Sequence, residues 1–103
     1  MIKVCKKDNI ISISGHANYS EYGKDIVCAS VSSIVTTIVN CIMNIDKSSI
    51  TFMDDGNVIT ITKINDNQVI DTLINTMMDI LKDLERQYKE NIKIESEEWK
   101  CYF

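Results

Sequence analysis

The chain has no proline, three glycines and a single histidine among its 103 residues. Without proline there is no polyproline linker and no proline-forced helix break, and no composition shift divides the sequence. One domain is therefore expected over residues 1–103. The cysteines, at 5, 28, 41 and 101, show no C-x-x-C and no metal-ligand spacing. With one histidine beside them, a zinc site would need most of the cysteines to converge, which the spacing argues against; no cofactor is expected, and no second cysteine stands near enough in sequence to resolve a redox intermediate. Reduced thiols are the expectation. Basic clusters beyond Lys6-Lys7 are missing and the net charge is −4, which argues against nucleic acid bound through its phosphates. The mild acidity either steers a basic peptide towards the surface or only keeps the protein soluble. No apolar run approaches the roughly 20 residues of a membrane span. The opening Met1–Lys7 reads as too short and too polar for a signal peptide, so cytoplasmic residence without membrane contact is expected.

What is present is orderly. Ile2/Val4 and Ile11/Ile13 alternate with polar neighbours around Lys7-Asp8-Asn9, which predicts a hairpin of strands at 2–5 and 10–14. A second hairpin, 49–53 with 57–62, flanks Asp54-Asp55-Gly56. From Cys28 to Asn44, Val31, Ile34, Val35, Ile38, Val39 and Ile42 recur at helical spacing despite their β-branching. A second helix runs from Gln68 to Lys89 behind the N-cap candidates Asn65-Asp66-Asn67, with Ile70, Leu73, Ile74, Met77, Leu81, Leu84 and Tyr88 on one stripe. Met77 and Met78 fit as core filler. A short strand at Ile92–Glu95 can follow. The order ββαββα(β) predicts a two-layer α+β domain, with an antiparallel or mixed sheet and both long helices on one face.

Between the first hairpin and the first helix lies a long connection, residues 15–27, and connections of that length are often functional. It begins with Gly15-His16-Ala17 and leads to Cys28, twelve positions after the histidine. A thiol at a helix start meets unsatisfied N–H groups and the positive end of the peptide dipoles, which favour the thiolate. An imidazole brought beside it makes a nucleophile and base pair. The loop returns the chain to the same end of the sheet, so the two can meet.

These residues resemble a known family. Gly15-His16-Ala17, then Gly23-x-Asp25-Ile26-Val27-Cys28-Ala29, then Val31-Ser32, are similar in type and spacing to the ribosomal-processing cysteine proteases called Prp. The resemblance extends to the element order over nearly the whole chain. It implies a cysteine endopeptidase with Cys28 as nucleophile and His16 as general base. It implies as substrate the N-terminal extension of a large-subunit ribosomal protein precursor, cut after aromatic residues and before a small one. It also implies a homodimer, with a mobile loop, here Asn18–Lys24, between the catalytic residues. Ser30 departs from the small apolar residue or glycine usual there, and the Trp99–Phe103 tail is unusual. The competing reading is a non-catalytic ribosome-assembly or peptide-binding module on the same fold; its mark would be loss of His16 or Cys28, and both are present.

Supporting roles are read from helix geometry. The backbone N–H groups of Cys28 and Ala29 point out of the predicted helix start and would stabilise a tetrahedral oxyanion. Asp25 orients His16, caps the helix, or does both. Ser32, one turn beyond Cys28, either bonds the thiolate or a substrate carbonyl, or is a small polar residue where helix meets loop. Tyr19 and Tyr22 either contact substrate or pack the loop down, and Gly23 supplies backbone freedom for closure.

Overall fold

The computed structural model describes residues 1–21 and 23–96. Tyr22 and the Trp99–Phe103 tail lie outside the described residues. The chain runs β1 (Ile2–Lys7), β2 (Ile10–Ser14), α1 (Ile26–Ile45), β3 (Ile50–Asp54), β4 (Val58–Lys63), α2 (Gln68–Gln87) and β5 (Ile92–Ser96). The strands form one sheet in the order β3-β4-β2-β1-β5. Neighbours pair antiparallel except β5, which lies parallel to β1 with Ile2 opposite Ile92 and Val4 opposite Ile94. The sheet is therefore mixed, and the final strand is real and parallel.

Alternation gives the sheet its apolar face. Val4 faces Ile13 across β1–β2, Ile13 faces Ile59 across β2–β4, and Ile11 faces Ile61. Against this face pack Val27, Val31, Val35, Val39 and Ile42 of α1, with Ile70, Ile74, Met77, Met78 and Leu81 of α2. Val4, Val27, Ile70, Met77, Leu81 and Ile92 are fully buried. Met77 and Met78 belong to this core. The Asn67 carboxamide oxygen caps α2 by accepting the N–H groups of Val69 and Ile70 at 2.9 and 3.3 Å.

One expectation is corrected. With no charged side chain in its twenty residues, α1 is long and apolar enough to cross a membrane by length and composition. The serines and threonines that break up its apolar runs hide this in the sequence. Every third or fourth residue is nonetheless a core contact. The thiols of Cys28 and Cys41 are free, and Cys5 is buried on β1.

Candidate active site

The first helix begins two residues before the cysteine that was expected to open it. Asp25 is the N-cap, with extended backbone, and its Oδ1 accepts the N–H groups of Val27 at 2.9 Å and Cys28 at 3.1 Å. Cys28 is therefore the third residue of α1, within the first turn where the dipole is felt. The second oxygen of Asp25 turns the other way and accepts the N–H groups of Tyr19 at 2.9 Å and Ser20 at 3.2 Å. One carboxylate thus satisfies two donors of the helix end and two of the loop. Between capping and orienting His16, the structure shows capping: the bonds made by Asp25 go to backbone N–H groups. Burial alone would push its carboxyl up. The donors of Cys28, Ser20, Tyr19 and Val27 outweigh that and hold it below the usual carboxylate range.

The half-buried Cys28 thiol has a backbone partner. Its Sγ accepts the N–H of Ala17 at 3.4 Å, and that N–H belongs to the peptide bond joining Ala17 to His16. Ala17 is only 1% exposed, so this segment of the loop is pressed into the core beside the sulfur. Its carbonyl accepts the Asn91 side-chain amide at 3.0 Å. His16 itself is exposed, just past the end of β2.

His16, Cys28 and Ser32 line one cleft of about 870 Å³, together with Gly15, Gly23, Asp25 and Ala29. The β3–β4 hairpin adds Phe52, Asp54, Asn57 and Ile59, and Thr36 continues the line of Cys28 and Ser32 along α1. Phe52 pairs with Ile61 on the helix-facing side of the sheet yet stays 38% exposed, so the cleft has an accessible aromatic wall. The volume falls in the usual range for a ligand site. At its rim Gly15 has φ +85, and a Cβ there would lie 2.3 Å from the Met1 carbonyl oxygen. Only glycine lets the chain turn this close to β1. Gly23 also has positive φ, +84, with open space around it.

The expected oxyanion donors are not available. The Cys28 N–H is taken by Asp25 Oδ1 and the Ala29 N–H by the Asp25 carbonyl at 3.0 Å. Ala29 already belongs to the helical ladder once α1 starts at Ile26. Tyr19 does not line the cleft. Its ring stands edge-on to Tyr88, with centroids 5.2 Å apart and planes at 85°, so it packs the loop against the end of α2. Sequence reasoning missed Thr36, Phe52 and Asn91, and gave Ala17 no contact with the thiol. Thr36 was available from helical spacing, two turns beyond Cys28; the others depend on contacts between distant elements.

The family model described as cysteine protease Prp matches residues 1–93. The chain belongs to the Prp family. A ribosomal processing cysteine protease Prp of Staphylococcus aureus is 32% identical over 87 residues, which cover 82% of this chain and 82% of that relative. The crystal structure of an essential ribosomal processing protease Prp from S. aureus, in complex with a covalently linked product peptide, superposes with a TM-score of 0.84 at 31% identity, covering 94% of this chain and 100% of that one. A second structure of the S. aureus protein, in complex with a substrate peptide, gives a TM-score of 0.81 at 29% identity with the same coverage. The α+β fold expected from the sequence is thus the Prp fold, and the chain is a cysteine protease.

Proposed function

We propose that this protein removes the N-terminal extension of a large-subunit ribosomal protein precursor, with Cys28 as nucleophile and His16 as general base. One observation carries the assignment of residues. The only histidine and a free, half-buried thiol line the same cleft, and the peptide N–H that follows His16 is bonded to the sulfur. The substrate class follows from family membership and from the ribosomal processing named for its relatives.

In this reading His16 takes the Sγ proton and the thiolate adds to the scissile carbonyl carbon. As the tetrahedral adduct collapses, the C–N bond breaks and the imidazolium gives its proton to the departing amine. The resulting thioester is then attacked by a water that His16 deprotonates. The C–S bond breaks, the acid product leaves and the thiol regains its proton. Ser32, on the cleft wall one turn from Cys28, donates its hydroxyl to the sulfur or to the substrate carbonyl. Gly23 is the point at which the loop bends to admit the peptide, and Gly15 sets the backbone before His16. The protein works as a cytoplasmic homodimer. Sedimentation at micromolar concentration tests the dimer, and fractionation of cells tests the compartment.

The decisive assay incubates the full chain with a peptide spanning the extended N-terminus of the same organism's ribosomal protein. The wild type cleaves it, while Cys28→Ala and His16→Ala do not. Cys28→Ser binds the peptide without turnover. Cleavage that survives loss of either side chain overturns the assignment.

A further inference from the structure

The geometry points to Asn91 as a positioning residue for the catalytic pair, an inference that rests on the His16–Cys28 reading above. Asn91 lies between α2 and β5, far in sequence from both catalytic residues. Its side-chain amide donates to the Ala17 carbonyl at 3.0 Å. A carbonyl only accepts, so it is the Nδ2 end that must face Ala17, and an acid at this position could not serve when ionised.

Ala17 is held on both sides of its Cα. Its N–H is spent on Cys28 Sγ and its C=O on Asn91, while its methyl group is buried. The N–H that reaches the sulfur is on the peptide bond to His16. Rotation about Ala17 would therefore change both the donor aimed at the thiol and the place from which the imidazole projects. Asn91 opposes that rotation from a fixed base. Its own N–H donates to the Tyr88 carbonyl at 2.9 Å, and its carbonyl accepts the Ile2 N–H at 2.9 Å. The end of α2 and the start of β1 thus hold the backbone from which the amide reaches.

Nothing else described bonds the Ala17 carbonyl, and the neighbouring tie of the loop, Tyr19 on Tyr88, is a ring contact to the same α2–β5 connection. The loop that carries His16 is therefore docked at two points onto one short segment. Asp25 fixes its far end at Tyr19 and Ser20. Asn91 fixes the near end, beside the histidine. Catalysis depends steeply on such placement: a displacement of about 1 Å costs on the order of a hundredfold in rate.

The test uses Asn91→Asp, which keeps the shape and removes the donor, and Asn91→Ser, which covers the case in which the buried edge does not accept a carboxylate. Both are made in the full chain and assayed for peptide cleavage, with the Ala17 amide followed by NMR in each. Expected is a fall in kcat of about 10- to 100-fold with KM within about twofold of wild type, since the peptide wall is untouched. The Ala17 amide resonance moves in the same variants. A kcat within about twofold of wild type in a folded variant overturns the inference. So does an Ala17 amide that stays in place, which would make any loss of rate a general effect of stability. Cleavage by Cys28→Ala would instead sink the catalytic assignment, and the Ala17 resonance would still report whether Asn91 holds the loop.

Discussion

The carboxylate that caps α1 is bonded to the residue that bears the thiol: Asp25 Oδ1 accepts the Cys28 N–H at 3.1 Å. The other oxygen of Asp25 accepts from Tyr19 and Ser20, so one ionised side chain ties the helix start to the loop. An asparagine in its place has one acceptor oxygen and so can serve only one of the two. Asp25→Asn is expected to keep the helix cap and free the loop at Tyr19 and Ser20. Peptide turnover then falls by about tenfold or more, whereas the melting temperature drops only slightly. Turnover at the wild-type level in the folded variant would show that the loop bonds do not matter to the site.

Acid should weaken the fold through the same group. The pKa of Asp25 is depressed in the folded chain by the donors of Cys28, Ser20, Tyr19 and Val27, despite burial acting the other way. Its stabilising contribution is therefore complete above its unfolded-chain pKa and disappears as pH falls through the lower folded value. Asp46 and Asp55 are depressed as well, by hydrogen bonds from Ser48 and from Val58 and Asn57. Urea denaturation between neutral pH and pH ~3 should show stability falling with acid, with a shallower slope in Asp25→Asn. Equal slopes would mean that Asp25 has the same pKa folded and unfolded.

The two glycines of the loop should differ in cost. At Gly23 an alanine meets open space, so the penalty is the left-handed backbone alone, about 1–2 kcal/mol. At Gly15 the added Cβ would also sit 2.3 Å from the Met1 carbonyl oxygen, forcing β1 away. Chemical denaturation of Gly15→Ala and Gly23→Ala should rank Gly15→Ala as the more damaging, with the larger loss of turnover. The reverse order would contradict the close approach at β1.

Phe52 offers a separate handle on substrate. It lines the cleft from β3 while remaining partly exposed, and it bonds neither His16 nor Cys28. Phe52→Ser should raise KM for the precursor peptide several-fold and leave kcat nearly unchanged, the pattern of lost uniform binding. Steady-state kinetics decide it; a change confined to kcat would move Phe52 from binding to chemistry.

Much of this was legible locally. The alternation of Ile11 with Ile13 and of Ile59 with Ile61, and turns built on Asp8-Asn9 and Asp55-Gly56, need only neighbouring residues to be understood. So does α2, where Asn67 caps a wide apolar stripe. The start of α1 is less plain, because Ile26 and Val27 are β-branched, which lowers helix propensity, and they close a connection whose Asp25 has a second reading beside His16. That shift of two residues removes the expected oxyanion donors, since it moves Ala29 into the i→i−4 ladder and gives the Cys28 N–H to the Asp25 carboxylate. The histidine and cysteine were found by type and spacing. Asn91 leaves no pattern, because its partner lies 74 positions away and a lone asparagine in a turn has an ordinary local explanation.

The parallel pairing of β1 with β5 has a consequence for the order of assembly. Ile2 and Val4 find their outer partners only at Ile92 and Ile94, near the far end of the described chain. Closing so long a loop costs entropy before any contact returns it, so this pairing belongs late in folding. The two hairpins and both helices can form while that edge of β1 is still bare. The segment that docks the histidine loop arrives with β5, and a newly made chain therefore carries its thiol for some time before it carries a finished site.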